Sequence, residues 1–447
     1  MAAILTDRLK LKIVDDIVKI FEDTTNPAYI GFARSEQWDS TDTAPAPLGN
    51  LNDERNFNYS LQSIKRISAV STVVPRVNWT NGTIYHQWDD KTVGYGTNSF
   101  YVLTENFSVY VCLRSGRNGA GQLVPSTVQP TGSNNDPFVT ADGYVWKFLY
   151  TISEIEARRF MTAGFMPTKV VASTDSNSTG IELKQEEIQN TADPRRITSV
   201  VVEKGGTGYT SAPDIFIRGD GDSNFSLTAT INGGAVTKIE FDADSSTLKY
   251  AAGYTNARID IIGGGGSGAT ARAIIGPAEG FGKNSKLDLK TSALVLHSKV
   301  EGGDSDFILG NDFRQIGILS HAKKIGSDST FTALTGLVLN HMTLSATSQV
   351  FTADKKIVGA TSGAKAFIDK IDSNLIFFHQ TPETGFDSFS AGETLTESNG
   401  TGNGVIGTPL IKGEVEPHTL QLLYLNNRGA IERSATQSED IKIIIQL

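Results

Sequence analysis

Ala141-Asp142-Gly143-Tyr144-Val145-Trp146-Lys147-Phe148-Leu149-Tyr150-Thr151-Ile152 opens on a tight-turn pair and continues as the strongest strand signal in the sequence. Side chains of an extended chain alternate between faces, so Tyr144, Trp146, Phe148, Tyr150 and Ile152 are expected on one side and Val145, Lys147, Leu149 and Thr151 on the other. One face is then almost wholly aromatic. Its rings can bury several hundred Å² against a second layer, at about 25 cal/mol per Å² of apolar area. Such a strand belongs in the middle of a β-sandwich sheet, and Asp142-Gly143 fixes where it begins.

Neighbouring segments share this character. Residues 100–103 and 107–113 read as a hairpin joined by Thr104-Glu105-Asn106, and residues 117–136 as a long Gly, Asn, Pro and Ser loop leading into the aromatic strand. Residues 71–79 read as a strand moved toward a sheet edge by Pro75, and Asn81-Gly82 as a hairpin turn into residues 83–88. Residues 28–38 read as a strand running into a polar corner, 41–50 as an extended loop, and 53–70 as weakly helical through Leu61, Ile64 and Ile67. Near the start, Leu5, Leu9, Ile13, Ile17 and Ile20 or Phe21 recur with charged residues between them, which predicts an amphipathic helix over 5–21. A short helix is expected at 154–161.

Residues 197–275 are Gly-rich and contain a repeat with a period of 45 residues: Gly208-Tyr209-Thr210-Ser211-Ala212 recurs as Gly253-Tyr254-Thr255-Asn256-Ala257. Each copy continues as strand, tight turn and strand. Neither can bury a face alone, so the two are expected to pair into one small β module. Ordinary strand composition returns at 294–297 and 313–319. A second Gly, Thr and Ser-rich block covers 342–410, and the chain closes with strands at 420–425 and 441–447 separated by a turn region at Asn426-Asn427-Arg428-Gly429. An end with Ile441, Ile443, Ile445 and Leu447 on one side is expected to be tied into a sheet.

A chain of 447 residues suggests about two to four domains. Its 39% hydrophobic content and 44 glycines favour short strands and turns over long helices. The net charge of −9, with both signs mixed along the chain, lacks the basic stripe that a nucleic-acid binder needs. Cys112 is the single cysteine, which excludes an intrachain disulfide. In Tyr110-Val111-Cys112-Leu113 it reads as a small core hydrophobe of a chain made in a reducing cytoplasm. No apolar run approaches the ~18 residues of a membrane span, and the first ten residues lack the apolar centre of a secretion signal.

Six scattered histidines show no metal-ligand spacing, and no Gly-x-Ser-x-Gly elbow occurs. The Gly359 to Lys365 run has the wrong spacing for a phosphate loop and leads into a strand. Gly263 to Gly268 fits a dinucleotide fingerprint only because nearly every residue is glycine, and it too opens a strand. In Gly219-Asp220-Gly221-Asp222-Ser223-Asn224 the carboxylates of Asp220 and Asp222 have calcium-like spacing. The expected glutamate is missing and the second repeat has glycine only, so an acidic hairpin tip is the better reading. Trp38, Trp79, Trp88 and Trp146 would suit a sugar platform, but large aromatics in strands more often build cores or subunit contacts. The expectation is a protein that is not an enzyme, with no catalytic, cofactor-binding or metal residues and no cofactor.

Five separated stretches then point one way: Ile30-Gly31-Phe32-Ala33-Arg34-Ser35-Glu36-Gln37-Trp38, Val74-Pro75-Arg76-Val77-Asn78-Trp79, Asp142-Gly143-Tyr144-Val145-Trp146-Lys147-Phe148-Leu149, Phe313-Arg314-Gln315-Ile316-Gly317-Ile318-Leu319 and the closing residues 423–447. In this order they resemble the baseplate wedge subunit of T4-like contractile-tail phages, the gene product eight family. The motif residues carried over are Arg34, Trp38, Pro75, Arg76, Trp79, Asp142, Gly143, Tyr144, Trp146, Phe313, Arg314 and Gln315, all in structural roles. The resemblance covers roughly 1–170, 286–335 and 413–447. The two Gly-rich blocks fall outside it and look like small β inserts of tail proteins from related marine phages, which suggests a cyanophage-like myovirus. The family implies a homodimeric virion component of the tail baseplate, made in the host bacterial cytoplasm and held beside other wedge subunits, with no nucleic-acid or membrane partner.

Residues and resemblance together predict a mainly β chain. Its layered β-sandwich core is assembled from the discontinuous segments 1–175, 286–335 and 413–447, with one N-terminal amphipathic helix and two small Gly-rich β inserts at 176–285 and 336–412. Two other classes compete. A carbohydrate-binding or adhesin-like tail protein touching host glycan is motivated by the Gly-rich repeat and the aromatics; a polysaccharide-degrading enzyme would need a facing carboxylate pair, which a sequence cannot display.

Overall fold

The computed structural model describes residues 4–39, 41–95, 98–174, 177–221, 226–241, 252–301, 312–432 and 437–447. The chain is mainly β, 41% strand and 12% helix, in several antiparallel sheets after an N-terminal helix. It divides into two compact units, one of residues 1–16, 71–295 and 444–447 and the other of 17–70 and 296–443. The helix Asp7–Glu22 buries Leu11, Val14 and Phe21, whereas Leu5, Leu9 and Ile20 of the expected stripe are exposed. This helix carries two apolar stripes, and spacing alone does not tell which one meets the core.

In the first unit the aromatic strand Val145–Thr151 lies between Ser108–Arg114 and Phe138–Val139, with Tyr101–Leu103 beyond Ser108–Arg114. Tyr144, Trp146 and Phe148 share one face with Tyr85, Tyr110, Cys112 and Ile188. Tyr150 and Ile152 do not follow them. Val109 opposes Tyr150 while Tyr110 opposes Phe148, which leaves Leu149 as an extra residue. A one-residue bulge reverses the sides, so Tyr150 and Ile152 join Val145, Leu149, Trp88 and Phe281 in the core of the opposite face. Asn81-Gly82 does form a turn, with φ of 84° at Gly82, but residues 83–88 form only an isolated bridge from Thr83 to Ser126.

Two helices of this unit begin with reciprocal caps. Ser153 and Glu156 start Glu154–Phe160, and Thr179 and Glu182 start Gly180–Asn190, which the sequence reading had not marked. The second helix places Ile188 against the aromatic face. At the chain end, the Leu447 amide donates to the Ser292 carbonyl at 2.9 Å.

The repeats do pair. Strand Asp214–Gly219 of the first copy runs antiparallel to Ala257–Ile262 of the second, with Ile215 opposite Ile261 and Phe216 opposite Asp260. Each copy also supplies the lid of the other: the Tyr254 ring lies on Gly219 and Gly221, and the Tyr209 ring on Gly264 and Gly266. A Cβ at any of these four glycines would collide with a ring or with backbone next to it. That contact is why the turns have glycine at both equivalent places.

The second unit contains a five-stranded sheet in the order Thr335–Leu337, Leu61–Arg66, Tyr29–Ala33, Asp312–Ser320 and Gln421–Glu432. Gly31 and Gly317 face each other across two strands, and a Cβ on Gly317 would meet the Phe57 ring at 2.6 Å. The missing side chains let helix Leu51–Tyr59 press Phe57 onto the sheet. Two expectations are corrected here. Helix ends at Tyr59, and Leu61 and Ile64 lie on a strand because they face the sheet core beside Tyr29 and Leu319. The expected turn at 426–429 is instead the middle of Gln421–Glu432, where Asn426 pairs with Ile316 and Asn427 with Gln315. The second Gly-rich block is a closed six-stranded barrel spanning Asn340–Gln349 to Asn403–Ile406, filled by Met342, Ile357, Ile368, Ile376, Phe378 and Leu395.

Candidate functional site

The twelve motif residues gather into two groups, one within each unit. In the first unit they fasten the long loop 117–136 to the sheet. Gly143 takes a left-handed φ of 83°, and Asp142 beside it turns its carboxylate back: Oδ2 accepts from Ser126 Oγ at 3.0 Å and from the Thr127 and Val128 amides at 2.7 and 2.9 Å. Thr140 Oγ1 donates to Oδ1 at 2.5 Å. Burial works to raise the Asp142 carboxyl, yet these four donors outweigh it and hold the group below its ordinary value. The Tyr144 hydroxyl donates to the Val124 carbonyl at 2.6 Å and Trp79 Nε1 to Ser126 Oγ at 3.2 Å. Trp146 is fully buried between the Tyr144 ring, stacked at 5.7 Å, and the Tyr85 ring, edge-on at 5.8 Å. Pro75 accepts from the Tyr101 hydroxyl at 2.7 Å, and Arg76 donates to Asn78 Oδ1 and to the Thr162 carbonyl.

In the second unit the group centres on Arg314, whose side chain is 3% exposed. Its Nε donates to Asp42 at 2.8 Å, its Nη2 to Asp312 at 2.9 Å and its Nη1 to the Ser35 carbonyl. Burial alone would lower this guanidinium, but Asp42 and Asp312 raise it, and Arg314 in turn lowers Asp42. Arg34, at a left-handed φ of 64°, lays its guanidinium 4.2 Å over the Trp38 ring and pairs with Glu36 at 3.2 Å. Trp38 Nε1 donates to the Arg428 carbonyl at 2.9 Å and Gln315 to Asn427 at the same distance, while Phe313 meets Phe32 edge-on at 5.0 Å. These contacts bind the strand Tyr29–Ala33, its polar corner and the middle of Gln421–Glu432 into one piece.

Next to Glu36 lies a set of buried charges that the sequence did not reveal. Asp369 and His379, on barrel strands Lys365–Asp372 and Leu375–His379, are 0% and 4% exposed. His379 Nδ1 is 2.6 Å from Asp369 Oδ2, and its Nε2 faces Glu36 at 3.5 Å. Phe367 opposes His379, and Ile368 and Lys370 oppose Phe378 and Phe377, so Asp369 is itself the bulged residue, which re-aims its carboxylate. Burial disfavours a charged imidazole, but Asp369 and Glu36 outweigh it and raise His379. Burial likewise raises Asp369, against the pull of His379 and Ser35.

Serine, histidine and aspartate meet here in the wrong order for nucleophilic catalysis. Ser35 Oγ donates to Asp369 at 2.9 Å instead of to the imidazole, and the far imidazole nitrogen meets a second carboxylate. The arrangement can clamp the barrel to the sheet corner. Elsewhere the Gly359 to Lys365 run does wrap an anion, the protein's own Glu393: Thr361 and Ser362 amides donate to it at 2.9 and 2.8 Å. Asp220 accepts from the Thr255 and Asn256 amides at 2.9 and 3.2 Å and is lowered to about 2, Thr255 contributing most, so its oxygens bridge the two repeats; Asp222 lies outside the described residues. Among the described residues no helix is long and apolar enough to cross a membrane.

An open cleft of about 760 Å³ lies in the second unit, lined by residues 49–54 and 422–425. Leu48, Leu51 and Leu423 stand at or near its rim, 79%, 69% and 52% exposed. No family model matches the chain, and no curated protein matches it.

Proposed function

We propose that this protein is a structural subunit of a contractile-tail baseplate wedge, working as a homodimer among other wedge subunits. The observation that carries the reading is how the motif residues are spent. Asp142, Tyr144, Arg314 and Trp38 direct their polar groups onto backbone and side chains of this same chain, which fastens its long irregular loops. Side chains left outward on the loop and helix at 41–59 include Leu48 and Leu51, and neighbouring Leu423 extends the same apolar rim. Fastened loops with an exposed apolar rim suit a part held by large protein interfaces.

One observation favours a second reading, contact with host glycan. A cleft of about 120 Å³ in the second unit is lined by Tyr59, Phe386 and His418, with the Tyr59 and Phe386 rings 5.1 Å apart, and aromatic walls suit sugar faces. Electron cryo-microscopy of assembled tails separates the two. The chain traced within baseplate wedges, touching other wedge subunits, is the expected result. The chain at fibre tips, or absent from tails, would contradict the wedge reading.

A further inference from the structure

In the first unit a narrow cleft of about 40 Å³ opens between the end of strand Ser108–Arg114, the loop after it, and strands Ile197–Thr207 and Ala235–Phe241. Arg114, Arg117 and Lys238 line it with a single carboxylate, Glu240, and with Gln87. Lys238 lies against Glu240 at 2.5 Å, whereas Arg114 Nε is 3.7 Å from it, buried and without a hydrogen-bond partner among the described residues. Arg117 spends one nitrogen on the Gly121 carbonyl at 2.6 Å. Thus three cations face one anion, and a buried guanidinium nitrogen lacks an acceptor. Burial strips a guanidinium of its hydration and pulls both arginines below their ordinary values, against the attraction of Glu240.

The cleft is held in shape without a ligand. Thr237 Oγ1 donates to the Gly119 carbonyl at 3.1 Å, a Cβ at Gly121 would strike the Thr237 carbonyl, and Gln87 donates to Ser199 at 3.1 Å. Loop and strands are therefore locked around the cations. Glu240 already supplies the one carboxylate, and the remaining excess of positive charge suits a dianion whose oxygens point several ways. We propose that this cleft binds a small oxyanion of the phosphate or sulfate class between Arg114, Arg117 and Lys238. Its size admits an ion of that kind and not a sugar or a nucleotide.

Phosphorus NMR of inorganic phosphate titrated with the full chain, at constant ionic strength set with chloride, tests this. The expected result is saturable line broadening that sulfate reverses, with a parallel rise in melting temperature. Arg117→Gln, at a half-buried position, should weaken the apparent affinity about tenfold, as expected for losing a charge-assisted contact. Arg114→Gln should do the same. Broadening that never saturates, that sulfate leaves unchanged, or that survives in both variants would overturn the proposal, as would equal competition by acetate.

Discussion

His379 is held between Asp369 at 2.6 Å and Glu36 at 3.5 Å, with almost no access to water. His379→Leu would leave Asp369 buried without its counter-charge, and breaking such a pair costs about 3–5 kcal/mol. Urea unfolding followed by a probe in the 17–70 and 296–443 unit should show that loss, and the double variant His379→Leu with Asp369→Leu should recover part of it. The pH dependence has a definite sign. His379 is raised from 6.5 to about 10, so its stabilisation is complete below about 6.5 and fades as pH rises toward about 10. The urea midpoint of that unit should therefore fall between about pH 6 and about pH 9 in the wild type and fall less in His379→Leu. Equal slopes would remove the imidazolium from the account. The sequence marks this set only faintly: Glu36 and His379 are separated by most of the chain, and a bulge aims Asp369. An aspartate inside the apolar run Ala366-Phe367-Ile368-Asp369 was the only available hint.

At the scale of elements, period-two reading placed the aromatic strand and its turn, and it failed only beyond Leu149. A bulge depends on the partner strand's register, which one strand's own sequence does not contain. Helix Gly180–Asn190 was missed for a different reason: its interior is polar, yet Thr179 and Glu182 form a capping box that was there to be read. The repeat was legible as a period, but not the exchange of tyrosines between copies, because matching Tyr and Gly positions do not say which copy covers which. That exchange predicts a coupled pair. Gly221→Ala should destabilise by about 1–3 kcal/mol through overlap with the Tyr254 ring, and much less when Tyr254→Ala is already present. Additive losses in thermal melts would show that the ring is not what excludes the methyl group.

For the molecule as a whole, discontinuity was legible. Segments 1–175, 286–335 and 413–447 were expected to share one core, and from them Tyr29–Ala33, Asp312–Ser320 and Gln421–Glu432 are adjacent strands of one sheet. The two compact units divide near residues 16, 70, 295 and 443, within helix or strand. Composition marks inserted blocks but carries no signal for a division that falls inside a regular element. In both units motif residues fasten a loop or corner, Asp142 and Tyr144 in one and Arg314 and Trp38 in the other. A chain built this way is proposed to act through its outer surface, as a paired block in a larger assembly.

The mass of the purified protein in solution, alone and with the other wedge subunits of the same tail, is the most direct test of that claim. Twice the 48.0 kDa of one chain, rising to a larger defined complex on mixing, is the predicted result. A single-chain mass that the wedge subunits leave unchanged would contradict it.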